Sequence, residues 1–431
     1  MYYIVESKEQ FKLFSRRVGE KYYVEVIPYH DFIHPRINQV SLIYIRPLEA
    51  RKGYIIPISH NEAFSVSIMD VRELISSYSE VYVRDKKFAS YFLNPKNLIH
   101  IPLLLDISKI QELQYPGFDF FYKKYDRNDI NKIISVSKHY ERCEEYFDIL
   151  EPAFKVEKPA HFEFYNKALD VFKAVEYPGI YVNIDLINAN LSPVNALYSI
   201  KENIVYTQYN TDTTTKRPSN RFNGINFAAI PKTEECRSGF IPRNDRFIDI
   251  DIDSYHPTII AKQIGYDFGD ESIHEHLAKM YGVDYNTSKE LTFKQLYGGI
   301  FREYKDIEFF SKTQKLIDEL WEQFNTQGYI ECPISKYRFE KSKLDKMTPQ
   351  KLFSYWVQNL ETSQNVSILR NILSILKGHK SKLVLYTYDS FLIDMSKDDS
   401  HLLEQICSVF ESKGLKYKIK HGINYWDFKK F

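Results

Sequence analysis

Phe247-Ile-Asp-Ile-Asp-Ile-Asp253 is the stretch on which the reading of this chain turns. Successive side chains of a strand alternate between faces, so Asp249, Asp251 and Asp253 share one face and Ile248, Ile250 and Ile252 the other. A row of like charges repels and is costly to half-bury unless a cation compensates it. The bland alternative is an edge strand whose acids face water. Against it, the residues that follow, Ser254-Tyr-His-Pro-Thr-Ile-Ile260, open a helix rather than a hairpin. A second acid lies in Leu383-Val-Leu-Tyr-Thr-Tyr-Asp-Ser-Phe-Leu-Ile-Asp394, where an apolar run breaks at Tyr388-Asp389-Ser390 and resumes. That is the pattern of two strands joined by a tight turn. Carboxylates at Asp251 and Asp389, converging from separate strands, make a hard-oxygen site suited to Mg²⁺, and a pair of such ions serves phosphoryl transfer.

A third element is Lys289-Glu-Leu-Thr-Phe293-Lys-Gln-Leu-Tyr297-Gly298. Lys289, Phe293 and Tyr297 stand at i, i+4 and i+8, on one face of a helix. A cation followed by two aromatics can hold a triphosphate and stack on its base. A stripe at this spacing is otherwise a core face.

Around these elements the chain reads as two parts. Residues 20–106 alternate short apolar strands (Tyr22–Ile27, Val40–Ile45, Tyr54–Ile58, Val81–Val83) with a helix near Met69–Tyr78, the pattern of a small α/β domain. Residues 107–150 turn helical and charged, and the Pro-containing stretch 151–162 is the expected linker. Beyond it, helices at 162–176 and 272–324 flank the strands Arg246–Asp253 and Lys382–Asp394. A helix near 400–413 and a Lys-rich strand pair close the chain, making this part α+β.

Composition excludes several classes. With 431 residues the chain has length for two to four domains, and 16% aromatics with 34 Tyr and 30 Phe argue against disorder. Lys+Arg is 58 against Asp+Glu 57, a net charge of +1, so the chain is not a uniformly basic binder. Locally, residues 336–351 carry six basic and two acidic side chains, and 413–430 carry six Lys and one Asp, interleaved with Tyr and Phe. Such clusters suit nucleic-acid backbones, or else form solvated faces. Cys143, Cys236, Cys332 and Cys407 form no CxxC pair, so neither a zinc knuckle nor a disulfide framework is indicated. The opening MYYIVESKEQFKLFSRR lacks an apolar core and no apolar run approaches a membrane span, so the expectation is a soluble, cytoplasmic protein without membrane partners.

The three elements, in this order, resemble motifs A, B and C of the DNA polymerase I family (family A). Thr215-Lys-Arg217-Pro-Ser219 with Asn226-Phe-Ala-Ala-Ile-Pro231 is similar to that family's T-G-R-x-S … N-L-x-x-I-P segment. His274-Glu-His-Leu-Ala278 resembles its H-x-x-T-A helix, Gly328 to Arg338 its G-x-x-x-T-x-x-G-R-x-R hairpin, and Asn424-Tyr-Trp426 its closing G-x-x-W strand. The resemblance implies a right-hand palm (163–260 and 328–431), fingers (261–327) and a template-dependent DNA polymerase adding dNTPs to a primer 3′ end. It implies that Asp251 and Asp389, assisted by the Ile252 carbonyl, bind two Mg²⁺, with Mn²⁺ as a substitute. Lys289 would contact the triphosphate, Phe293 would lie beside the incoming base and Tyr297 would close the templating pocket. Arg217, Tyr388, Lys336 and Arg338 would meet primer-template DNA, and Gln358 the minor groove.

Departures from the family are specific. Its motif C reads His-Asp-Glu where this chain has Tyr388-Asp389-Ser390, and its motif B arginine is replaced by Tyr285. The family glutamate that blocks a ribose 2′-hydroxyl falls at His256. Tyr-Asp-Ser-Phe is also similar to the His-Asp-Ser of single-subunit RNA polymerases. That leaves an RNA polymerase-like nucleotidyl transferase, and a catalytically silent DNA-binding subunit, as alternatives.

Residues 1–150 resemble the ribonuclease H-like proofreading exonuclease of the same polymerases. Glu25 stands in its Asp-x-Glu pair, Ala89 replaces the catalytic Asp of Asn-x-Lys-Phe-Asp, and Cys143 stands where a third acid belongs. The expectation is a domain without nuclease activity. Glu176-Tyr-Pro-Gly179-Ile-Tyr-Val182 is similar to the family's entry to the polymerase domain, after which only residues 186–212 remain for a thumb. They are too few for a pair of long helices at 1.5 Å per residue. A processivity partner in place of the thumb is therefore expected, in a replicative polymerase of a virus or mobile element.

Overall fold

A computed structural model describes residues 3–15, 21–30, 33–63, 66–105, 131–190, 200–220 and 225–431. The packing divides the chain into two units, the first reaching Lys173 and the second starting at Ala174, with residues 200–202 and Ile225 counted with the first.

The first unit is built on helix α1 (Lys8–Ser15), strands β1 (Lys21–Pro28), β2 (Val40–Pro47) and β3 (Tyr54–Pro57), helix α2 (Ile68–Ser76), strand β4 (Glu80–Val83), helix α3 (Lys86–Phe92), strand β5 (Leu98–His100), and helices α4 (Val136–Leu150) and α5 (Phe162–Glu176). The strands form one mixed sheet in the order β3-β2-β1-β4-β5, antiparallel through β1 and parallel from β1 to β5. Seven of the eight residues of β1 are buried, so both faces of this strand are covered.

The stretch 151–162 does not behave as a linker. Ala153 is fully buried, and the Phe154 ring packs on Tyr23, Tyr82 and Phe147. Its apolar residues thus outweigh its two prolines. Helix α5 packs with the same unit: Lys86 Nζ reaches Asp170 at 2.7 Å, and Asn166 bonds β5 through His100 N–H and the Leu98 carbonyl. Of the helical stretch expected over 107–150, residues 106–130 lie outside the described residues, and α4 accounts for the remainder.

The second unit begins with β6 (Ile180–Val182), a short helix α6 (Ile184–Asn190), β7 (Ile204–Val205) and β8 (Phe240–Ile241), with β6 paired to both other strands. Then follow β9 (Arg246–Ile252), helices α7 (Tyr255–Ile264), α8 (Ile273–Tyr281), α9 (Tyr285–Gly298) and α10 (Glu308–Gln327), and the hairpin β10 (Tyr329–Glu331)/β11 (Arg338–Glu340). Helix α11 (Pro349–Ile375), strands β12 (Lys382–Thr387) and β13 (Ser390–Met395), helix α12 (Leu402–Glu411), β14 (Tyr417–Gly422) and β15 (Phe428–Lys430) complete the chain.

The principal sheet has the order β12-β13-β9-β14-β15, all antiparallel. The acid-bearing strand β9 is therefore its centre, not an edge. Ile248, Ile250 and Ile252 are each at most 2% exposed, and burying such side chains is worth about 1.5–3 kcal/mol apiece. Phe391, opposite Ile250, packs on Phe410 of α12, which places that helix over the isoleucine face. Tyr386 of β12 is fixed to α11 through Asn365. No helix among the described residues is long and apolar enough to cross a membrane.

Candidate active site

With the isoleucine face covered, the opposite face of β9 forms the floor of a cleft of about 470 Å³. Its lining includes Asp249, Asp251, Tyr388, Asp389, Ser390, Lys420 and Trp426. Strands β12 and β13 are joined by the two residues Tyr388 and Asp389, and Thr387 pairs with Ser390. Tyr388 takes φ +61°, a conformation uncommon for a bulky residue. Three contacts hold it there. Asn365 Nδ2 donates to the Tyr388 carbonyl at 2.8 Å, the Arg217 guanidinium lies 3.7 Å from the ring centroid, and the Ile252 N–H donates to the Asp389 carbonyl at 2.8 Å. The last bond ties the turn to the end of β9, while Asp251 lies in register with Ser390. Asp251, on β9, and Asp389, in the turn between β12 and β13, thus open on one cleft.

Both carboxyls are held above their ordinary pKa, first by burial. For Asp251 the charge of Asp389 adds to this, against Lys420 and Lys418; for Asp389 the added repulsion comes from Glu361, against Arg217 and His256. Neither side chain forms an ion pair or a hydrogen bond to another residue among the described residues. Their neighbours on the strand are compensated differently. Asp249 accepts a 2.6 Å bond from Ser390 Oγ and lies opposite Lys420, and Asp253 is paired with Lys418 at 3.2 Å.

No group of three or more His, Cys, Asp or Glu side chains is arranged to hold a metal among the described residues. Two carboxylates that open on the cleft, Asp251 half-buried and Asp389 exposed, neither in an ion pair, nevertheless fit Mg²⁺, which is usually held by one or two carboxylates and completes its shell with substrate phosphates and water. Ile252 itself is buried and its N–H is committed to Asp389.

Helix α9 is N-capped by Asp284, which accepts from the N–H groups of Asn286 and Thr287. Its buried face is Ser288, Thr292, Gln295 and Leu296, bonded to α8 through the His274 carbonyl and the Tyr281 hydroxyl. Lys289, Phe293 and Tyr297 are therefore not a core stripe: Lys289 is exposed and the two rings are half-buried. Those rings stack, 7° from parallel with centroids 6.2 Å apart. His274, beside Phe293, is kept neutral by burial and by Lys289, its pKa lowered to about 4.

Other expected residues fall in two places. Gln358 on α11 accepts from Thr215 Oγ1 at 3.4 Å, close to Arg217. Lys336 and Arg338 stand on the separate hairpin β10/β11, both exposed and both paired with Glu331, at 3.6 and 3.0 Å. They do not line the acidic cleft.

Sequence reading missed the polar interior of α11. Asn359, Glu361, Thr362, Ser363 and Asn365 are buried there, each at most 1% exposed. Asn365 accepts from Tyr255 Oη at 2.8 Å while donating to Tyr386 and Tyr388. Glu361 Oε2 lies 3.0 Å from Arg217 Nε and 3.1 Å from His256 Nε2, and His256 Nδ1 meets the Tyr297 hydroxyl. A run of polar residues inside a helix reads as a solvated face, so nothing in the sequence marks these as buried.

In the first unit, Glu25 and Cys143 line a cavity of about 30 Å³, whereas Ala89 does not. Arg84 is ion-paired to Glu25 at 2.6 Å, and Tyr23 Oη donates to its other oxygen at 2.8 Å.

No family model matches the chain, and no curated protein matches it. Among solved structures it is similar to the POL domain of Pol1 from M. smegmatis in complex with DNA primer-template and dNTP. The TM-score is 0.67 at 13% identity, covering 99% of this chain and 99% of that chain. At that identity the likeness is one of fold, and the fold is the mixed α+β architecture of a DNA polymerase domain.

Proposed function

We propose that the chain is a template-dependent DNA polymerase that extends a primer 3′ end with dNTPs. The observation that carries this reading is the pair Asp251 and Asp389, opening together on one cleft in a polymerase fold and held in no ion pair among the described residues. Two Mg²⁺ bound there would activate the primer hydroxyl and stabilise charge on the transferring phosphate.

The side chains do the positioning. Lys289, exposed at the near end of the α9 stripe, meets the triphosphate as a point charge. One and two turns on, Phe293 and Tyr297 offer a stacked aromatic surface to the base. Arg217 and Tyr388, stacked on each other beside Asp389, receive the primer end, and Gln358 with Thr215 lies next to them. Lys336 and Arg338 carry a cationic hairpin away from the cleft, suited to backbone phosphate.

We assign no proofreading to the first unit. Its remaining acid is already neutralised by Arg84, and the cavity beside it has room for a water or two but not a nucleotide. In the expected thumb region α6 has seven residues and 204–205 and 209–210 are strands, while 191–199 lie outside the described residues. A partner that grips product duplex fits this economy.

Primer-template extension with dNTPs or NTPs, comparing the parent with Asp251→Ala and Asp389→Ala, decides among the readings. Extension with dNTPs that both substitutions abolish supports DNA synthesis. Incorporation of NTPs alone points to the RNA polymerase-like reading, and duplex binding without extension to a silent subunit.

A further inference from the structure

Glu361 is the most buried acid near the cleft, 1% exposed, and it comes from neither carboxylate-bearing element. A buried carboxylate is costly even when it is paired, and a well-packed apolar residue would serve stability as well or better. Glu361 stands within ion-pair distance of two other side chains, and Arg217 Nη2 donates to its Oε1 at 3.4 Å. On one side Arg217 is 3.0 Å away, and its guanidinium lies over the Tyr388 ring next to Asp389. On the other, His256 Nε2 is 3.1 Å away, and its Nδ1 faces the Tyr297 hydroxyl at the end of the aromatic stripe. The series Tyr388–Arg217–Glu361–His256–Tyr297 therefore runs from the turn bearing Asp389 to the helix bearing Lys289.

Resting on the polymerase reading above, we infer that Glu361 is a positioning residue of the reaction centre: one buried carboxylate orients Arg217 for the primer end and His256 for the nucleotide. With phosphates drawn to Lys289 and the Asp251/Asp389 pair, and the base on Phe293 and Tyr297, the sugar falls next to His256. Loosening His256 therefore changes how the sugar is read. Loosening Arg217 changes how the primer terminus sits.

Glu361→Gln keeps the side-chain shape and removes the charge. The expected result is about a tenfold rise in KM for the dNTP and about a tenfold fall in kcat, with the dNTP/NTP preference reduced and partial recovery in Glu361→Asp. The effects of Glu361→Gln and His256→Ala are expected to be less than additive. A variant whose melting temperature falls while KM, kcat and sugar preference stay unchanged would overturn the inference. If Glu361→Gln does not fold, Arg217→Gln/Glu361→Gln, which removes both charges, takes its place with the same expectations. The side-chain ¹⁵N–¹H spectrum of His-labelled protein reads the orientation without any turnover. The His256 signal is expected to move in Glu361→Gln, and an unmoved signal would refute the positioning claim even if the parent extends no primer. A parent that extends no primer while the His256 signal moves would refute the polymerase reading and leave the pairing intact.

Discussion

The two units each contain an acidic site, buried in the first and open in the second, and they treat it in opposite ways. In the first, Glu25 is closed off by an ion pair to Arg84 and a bond from Tyr23, in a cavity of about 30 Å³. In the second, Asp251 and Asp389 share a cleft of about 470 Å³, without an ion pair to either carboxylate among the described residues. Burial and repulsion hold both carboxyls above their ordinary range. One arrangement satisfies its charge internally and is finished. The other leaves its two carboxylates without an ion pair among the described residues, which suits the metal site proposed for it.

The difference can be broken from either side. The largest expected effect is on the open site: Asp389→Ala should lower single-nucleotide incorporation by about a thousandfold or more. On the closed site, Arg84→Ala strands Glu25 in the interior, and urea unfolding should show a loss of roughly 3 kcal/mol. No Mg²⁺-dependent nuclease should appear in either the parent or this variant, and nuclease activity sensitive to Glu25→Gln would erase the distinction. A middle-sized effect is expected at Lys289→Ala, where steady-state kinetics should show KM for the dNTP rising about ten- to fiftyfold.

The smallest effect is on stability. Because the folded-state pKa of Asp251 is raised, the native state holds more protons than the unfolded chain, and stability falls as pH rises through that raised value. Asp251→Asn removes its share of that loss, so thermal melting in metal-free buffer should rise by roughly 1–3 °C while synthesis is lost. Added Mg²⁺ with dNTP should stabilise the parent and not the variant.

How much of this was legible in the sequence follows from periodicity. The period-2 run at 247–253 and the break at Tyr388-Asp389-Ser390 announced the strand and the hairpin, because one face of each is strictly apolar. Lys289, Phe293 and Tyr297 were readable as a stripe. Their exposure was not, since it depends on the polar face Ser288/Thr292/Gln295 being the buried one. Helix α11, 27 residues long, left little signal because it buries polar and apolar residues nearly all round. Glu361 and Asn365 were hidden for the same reason: their worth comes from partners more than 100 and about 20 residues distant, at Tyr255, His256, Arg217 and Tyr388. The stretch 151–162 misled through its prolines, which say nothing about the burial of Ala153 or the ring contacts of Phe154.

The most direct test is addition of one templated dNTP to a primer 3′ end across a Mg²⁺ titration, in the parent and in Asp251→Asn. The parent should reach a plateau in incorporation rate as Mg²⁺ rises, and the variant should show no incorporation at any concentration. Equal incorporation by the two proteins would contradict the assignment of Asp251 and Asp389 as the centre of the reaction.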